Sequence, residues 1–371
     1  AFPDISPVMV PIFAEAHGMA PEEVERMITF PIESSMNGLP GVTLVKSTSA
    51  FGMAVIYIYF EDNVDIYFAR QIVAERLAGT LSEMPEMHDP PILGPISTGL
   101  GEVFMYYLTA DDNVDTEGKD KNTWLRELND WVVKFQLQTV SGVTEILSMG
   151  GHILQYQVSV NPYAMNKYDI TLEEIIESIN SNNANAGGQF IVLGSEEYLV
   201  RGIGLLENLD HLGDLQVKVV EGTPVRLHDV ANVDFGNELR RGVVSLNGEE
   251  EVVAGIVMKL YGENTSEVIE ALEKKFPEVQ ASLPNGVKIV PYYNQSHLVE
   301  SATGTVKKSL LIGAFLVLLT LLLFLGNVRT AFIVALALPL CALIAVIFMG
   351  LSGLSANLMS LGGIAIAIGM L

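Results

Sequence analysis

Apolar and polar positions follow one rule before residue 300 and another after it. From Ser309 to Leu371 the only formal charge is Arg329, and three apolar runs fill the stretch: Leu310–Leu325, Ala331–Leu351 and Leu358–Leu371. A helix needs about 17–25 apolar residues to cross a bilayer. The second run has that length. The first reaches it with Ser309 and the flanking Thr305–Lys308, and the third is cut short. The pattern predicts membrane helices, and a chain that is one portion of a longer polytopic protein.

Before residue 300 the pattern is of repeated strand–helix–strand units. Val8–Ala14 is rich in β-formers, and Pro21-Glu22-Glu23 then opens a helix, with proline in the first turn and acids at the positive end of the dipole. Thr43–Ser49 and Ala54–Phe60 read as strands joined at Phe51-Gly52. Asp65 can cap a helix whose Ile66, Ala69, Ile72, Val73 and Leu77 keep helical spacing. That order begins a ferredoxin-like split βαβ fold.

The order recurs with strands at Val103–Thr109, Val143–Ser148 and Gln155–Val160 and a helix over Asn122–Gln138. Its second half is delayed to Glu251–Leu260, Ser266–Val279 and Val287–Tyr292. Between lies an insertion from about Asn161 to Asn237. Its helix, Thr171–Asn182, opens on a Thr171…Glu174 capping box, and strands are expected around Phe190–Leu193 and Gln216–Val220. The expected fold is α+β: two ferredoxin-like units, 7–100 and 101–160 plus 238–295, with a third module spliced into the second, followed by transmembrane α-helices.

Charge sharpens the division. All 44 Asp and Glu lie at or before Glu300, against 18 of the 21 Lys and Arg, a net of −26 for that part. Such a surface repels nucleic acid and attracts cations. Lys307-Lys308 against Arg329 would, by the positive-inside count, set the lysine side in the cytoplasm. The lone cysteine, Cys341, excludes an intrachain disulfide.

Little points to catalysis. The six histidines are scattered, with no HExxH, CxxC or P-loop, so the expectation is a protein that is not an enzyme and holds no cofactor. Fourteen methionines admit soft-metal chemistry, since thioether sulfur suits Cu(I) and Ag(I). Met84, Met87 and His88 form one conceivable cluster, and Met359 stands alone in the last, Gly-rich apolar run.

Several segments then resemble one family in order. Phe30-Pro31-Ile32-Glu33-Ser34-Ser35-Met36-Asn37-Gly38-Leu39-Pro40-Gly41-Val42 resembles the first porter subdomain of resistance–nodulation–division (RND) efflux pumps. Asp65–Gln71 and Tyr261-Gly262-Glu263-Asn264-Thr265 resemble its heavy-metal branch. Leu325-Gly326-Asn327-Val328-Arg329 resembles the loop after its second transmembrane helix, and Leu358–Gly369 its fourth helix before the proton-relay carboxylate. The resemblance implies porter subdomain PN1 over 1–100, PN2 over 101–160 and 238–300, an inserted docking subdomain DN over 161–237, and helices 2, 3 and the start of 4 over 305–371. It implies a periplasmic soluble part, against the lysine count, on a bacterial inner-membrane protein.

It further implies a homotrimer that exchanges protons for heavy-metal ions through a periplasmic adaptor protein and an outer-membrane channel. Nucleic acid is not an expected partner. Helix 1 and the C-terminal half would lie outside this chain, with the relay carboxylate and the main cargo ligands, so residues 1–371 alone would confer no metal resistance. Ala367-Ile368-Gly369 resembles the copper and silver members, in which a methionine at the place of Met359 belongs to a relay of thioethers. Leu371 departs from them, since a further methionine is usual there. Alternatives are a multidrug RND exporter of organic amphiphiles and a non-transporting accessory subunit of the same fold.

Overall fold

The computed structural model describes residues 6–16, 18–85, 89–220, 222–240, 242–325, 328–352 and 357–370, with side chains at only part of the positions beyond 301. His17, Met87, His88, Gly326, Asn327 and Leu371 lie outside the described residues. Two compact units are present: one made of residues 1–114, 129–149 and 254–371, the other of 115–128 and 150–253.

In chain order the first unit opens with β1 (Met9–Glu15), the helical segments α1 (Pro21–Val24) and α2 (Phe30–Met36), then β2 (Val42–Ala50), β3 (Met53–Phe60), α3 (Ile66–Thr80) and the short β4 (Ile92–Leu93). The strands order as β2-β3-β1-β4, the arrangement expected of a ferredoxin-like fold. Each helix start has a visible cause. Glu23 reaches back to the Ala20 amide at the head of α1, and Asp65 accepts from the amides of Tyr67 and Phe68 at 2.9 Å to open α3. Alternation along β3 drives Ala54, Ile56, Ile58 and Phe60 inward, where Val10, Ile12, Ile28, Ile32 and Met36 close a dry core.

The chain then forms β5 (Glu102–Ala110), α4 (Lys121–Leu128), α5 (Lys134–Gln138) and β6 (Val143–Met149). Here it leaves for the insertion. In order these elements are β7 (Leu154–Val160), α6 (Pro162–Tyr168), α7 (Leu172–Ser181), the hairpin β8 (Ala186–Leu193) and β9 (Glu196–Gly202), and α8 (Leu209–Gly213). They continue with β10 (Gln216–Val220), β11 (Thr223–Arg226), α9 (Leu227–Val230), β12 (Ala231–Asn237) and two-residue strands β13 (Ser245–Leu246) and β14 (Glu250–Glu251). The chain returns through β15 (Val253–Lys259), α10 (Thr265–Ser282) and β16 (Val287–Asn294). The second sheet orders as β16-β5-β15-β6, the topology of the first sheet again.

One boundary differs from the expectation. Gln155–Val160 is not a strand of the second sheet: β7 pairs antiparallel with β12 along its whole length, from Ala231 against Val160 to Asn237 against Leu154. The insertion therefore runs from Gly150 to Val253, wider at both ends than Asn161–Asn237. Alternation makes Leu154–Val160 a strand but does not choose its partner. The expected capping box does form, with Glu174 N–H donating to Thr171 Oγ1 at 3.2 Å and Thr171 N–H to Glu174 Oε2 at 2.8 Å. Ile175, Leu212, Leu227 and Val230 fill the insertion's own core.

The two sheets close over different chemistry. In the second, Tyr106 is fully buried beside Gly255, where any Cβ would fall within the tyrosine ring. Its hydroxyl donates to Asn129 Oδ1 at 2.9 Å, and Asn129 Nδ2 donates to Ser148 Oγ at 2.8 Å. Phe276 meets the Tyr106 ring edge-on with centroids 5.9 Å apart. Burial, and then the charge of Asp130, pushes the Tyr106 phenol above its ordinary pKa, so it serves as a neutral donor.

β16 runs directly into α11 (Gln295–Leu325), followed by α12 (Val328–Leu351) and α13 (Leu358–Met370), and α11 packs on both. Among the described residues no helix is long and apolar enough to cross a membrane.

Candidate functional site

Met359 lies in the first turn of α13. Asn357 and Ser360 set that turn: Ser360 N–H donates to Asn357 Oδ1 at 2.9 Å and Asn357 N–H to Ser360 Oγ at 3.0 Å. The methionine is 74% exposed. A helix N-terminus carries partial positive charge, which does not favour a resting cation. Met370 is eleven residues further on, about 16 Å along the helix axis. Among the described residues no group of three or more His, Cys, Asp or Glu could hold a metal ion. Of soft-metal ligands, this turn presents the single thioether of Met359.

Two of the scattered histidines have particular surroundings. His228 stands between two carboxylates, with Nδ1 3.0 Å from the Gly213 carbonyl oxygen, 3.7 Å from Asp214, and Nε2 3.6 Å from Asp229. His152 Nδ1 is buried without a hydrogen-bond partner. Neither belongs to a metal-binding cluster among the described residues.

Reasoning from sequence also missed two cavities of the first unit. One, of about 530 Å³, opens between α10 and β16 and is lined by Phe104, Phe276, Tyr292, Glu273, Asn294 and His297. Phe104 and Phe276 tilt together with centroids 4.9 Å apart, and Asn294 Nδ2 donates to Glu273 Oε1 at 2.7 Å. A smaller one, of about 220 Å³, is lined by Met9, Tyr59, Ser97 and Tyr261. Both have mixed apolar and polar linings.

The most distinctive surfaces are apolar. Every residue of the β8–β9 hairpin is exposed, including Phe190 at 63% and its cross-strand partner Leu199 at 63%. On the helices Leu311, Phe315, Leu323, Phe324, Phe348 and Leu351 also face outward, Phe324 at 90%. Soluble monomers rarely expose contiguous apolar area beyond a few hundred Å².

Residues 1–371 match the sequence profile of the AcrB/AcrD/AcrF family along their full length. The chain belongs to the AcrB/AcrD/AcrF family. Within the family it is 41% identical over 370 residues to the cation efflux system protein CusA of Escherichia coli, a match covering 100% of this chain and 35% of that protein. It is equally 41% identical over 366 residues to the cobalt-zinc-cadmium resistance protein CzcA of Cupriavidus metallidurans, covering 98% and 34%. The crystal structure of a heavy metal efflux pump superposes with a TM-score of 0.87 at 37% identity, over 98% of this chain and 36% of that one. This AcrB/AcrD/AcrF chain thus spans about a third of the length of the relatives it matches, and the resemblance to the heavy-metal branch of RND pumps holds.

Proposed function

We propose that this chain is part of a proton-driven exporter of heavy-metal cations in the bacterial inner membrane. The observation that carries the reading is the match to cation efflux proteins at 41% identity over the whole chain. In this reading the two ferredoxin-like folds are porter subdomains PN1 and PN2, and the inserted module is the docking subdomain DN. Helices α11–α13 are transmembrane helices 2, 3 and the start of 4. Their outward leucines and phenylalanines support insertion in lipid, where such side chains cost nothing to expose. The bare hairpin supports a homotrimer, because an unpartnered apolar ribbon is stable only against another surface. A periplasmic adaptor protein and an outer-membrane channel complete the export path. The metal ion is cargo, and the role is transport rather than catalysis.

No Asp or Glu follows Glu300, so the proton-carrying carboxylate belongs to the remaining two thirds of the pump. The ion is the finer part of the proposal. Equal identity to CusA and CzcA favours no metal; the lean to Cu(I) and Ag(I) rests on Ala367-Ile368-Gly369 and on the open thioether of Met359. A Met359→Leu change in the full-length pump tests it. The expected result is reduced copper and silver tolerance with zinc and cobalt tolerance unchanged. Unchanged copper and silver tolerance removes Met359 from the path, and loss of zinc or cobalt tolerance reverses the choice of ion.

A further inference from the structure

The first helix of each ferredoxin-like fold carries the same irregularity. On each, a row of fully buried positions repeats every four residues: Val24, Ile28, Ile32 and Met36 in one, Leu125, Asn129, Val133 and Leu137 in the other. In an α-helix each four-residue step drifts by about 40°, so such a row would spread over about 120°. A π-wound turn holds more than four residues and drifts the other way. One lies within each row, at Glu25–Thr29 and at Asn129–Val133. In the first, the Phe30 amide donates to the Glu25 carbonyl five residues back.

The buried rows correspond residue by residue, although the π-wound turn begins three residues later in the second helix, at Asn129 rather than at Arg126. An offset of 101 relates every member of one row to the other, as well as Gly41 to Gly142, Val42 to Val143 and Ser47 to Ser148. Both glycines have positive φ, +77° and +85°, and turn the chain from helix to second strand. Each π-wound turn also has a polar latch to that strand. Thr29, 1% exposed, pairs its hydroxyl with that of Ser49 at 2.8 Å. Asn129, wholly buried, holds Tyr106 and Ser148. On the outer side the same offset relates Phe30 to Trp131, both well exposed, and Trp131 stacks on Phe135 with centroids 6.0 Å apart.

A π-wound turn is one residue more than an α-helix needs, with poorer hydrogen bonding, and such turns are concentrated at functional sites. We propose that each of these helices is a two-register element: π-wound as seen here, α-wound when its latch opens. Thr29–Ser49 and Tyr106–Asn129–Ser148 hold the π-wound register. Rewinding shifts the outer aromatic, Phe30 or Trp131, by about 100° around the axis relative to the half of the helix beyond it. The surface of the fold changes while its sheet stays intact. The device does not depend on which ion is carried.

Hydrogen exchange on the full-length protein tests it. The amides of 129–133 are expected to exchange about tenfold faster than those of 134–138. Ser148→Ala, which removes one latch bond, is expected to speed them about fivefold more and leave β5 and β15 unchanged. Deleting Met27 gives the first row α-compatible spacing, and the fast exchange at 25–29 should vanish. Equal rates in the turn and its flanks, or a Ser148→Ala effect spread evenly over the sheet, would overturn the proposal. Should the deletion fail to fold, the Ser148→Ala result decides alone.

Discussion

The apolar residues of this chain are used in two opposite ways. In the ferredoxin-like folds Ile12, Ile28, Ile32, Ile56 and Ile58 are wholly buried. In the hairpin and the last three helices, side chains of the same kind, such as Phe190, Leu199, Phe315 and Phe324, stand in the open. The first group closes a dry core. Among the described residues the second group stays largely uncovered, which suits the proposed membrane-borne assembly and which an isolated globular protein avoids. The contrast predicts that substitutions in the two regions fail differently.

The largest effect is expected at Gly255. A valine there collides with the Tyr106 ring and should cost about 3 kcal/mol in chemical denaturation. Adding Tyr106→Ala should recover part of that loss, and strict additivity would contradict the contact. Next is Ile28→Ala, with a comparable cost of about 3 kcal/mol from the cavity left in a dry core.

Much of this inward-facing architecture is legible in the sequence. Alternation and caps locate β1, β3 and α3, and the Thr171…Glu174 box forms as read. The order of sheet and helix betrays the repeat. Three features escape such reading. Leu154–Val160 alternates like any strand, so nothing local assigns it to β12 rather than the second sheet. The π-wound turns hide because a four-residue row resembles an ordinary helix face. Gly255 and Asn129 make sense only together with Tyr106, which is distant in sequence from Gly255. At the candidate site the sequence marks Met359, and the structure adds its exposure and its place at a helix N-terminus; the cavity by α10 needed the packing of three elements.

A smaller effect is expected in the insertion. Thr171→Ala should cost about 1 kcal/mol through the lost cap. The backbone hydrogen bond from Thr171, and then Lys218, lowers the Glu174 pKa. Its contribution is therefore present above the unfolded carboxylate pKa and lost as pH falls through the depressed folded value. The stability difference between the native protein and Glu174→Gln should shrink on acidification, and a difference that grows would contradict the assignment.

The smallest effect on stability, below about 0.5 kcal/mol, is expected for Phe190→Ser with Leu199→Ser on the hairpin. Their effect should appear instead as loss of the proposed trimer in light scattering of the full-length protein. A large loss of stability with the trimer intact would erase the contrast between inward and outward apolar residues.

The central claim is metal-cation export, and its most direct test is flux. The full-length protein would be reconstituted in vesicles carrying a pH gradient and offered Ag(I), Zn(II), Co(II) or an amphiphilic organic dye. The account predicts movement of at least one metal ion, collapsing with the proton gradient, and none of the dye. Dye transport without metal transport would contradict it.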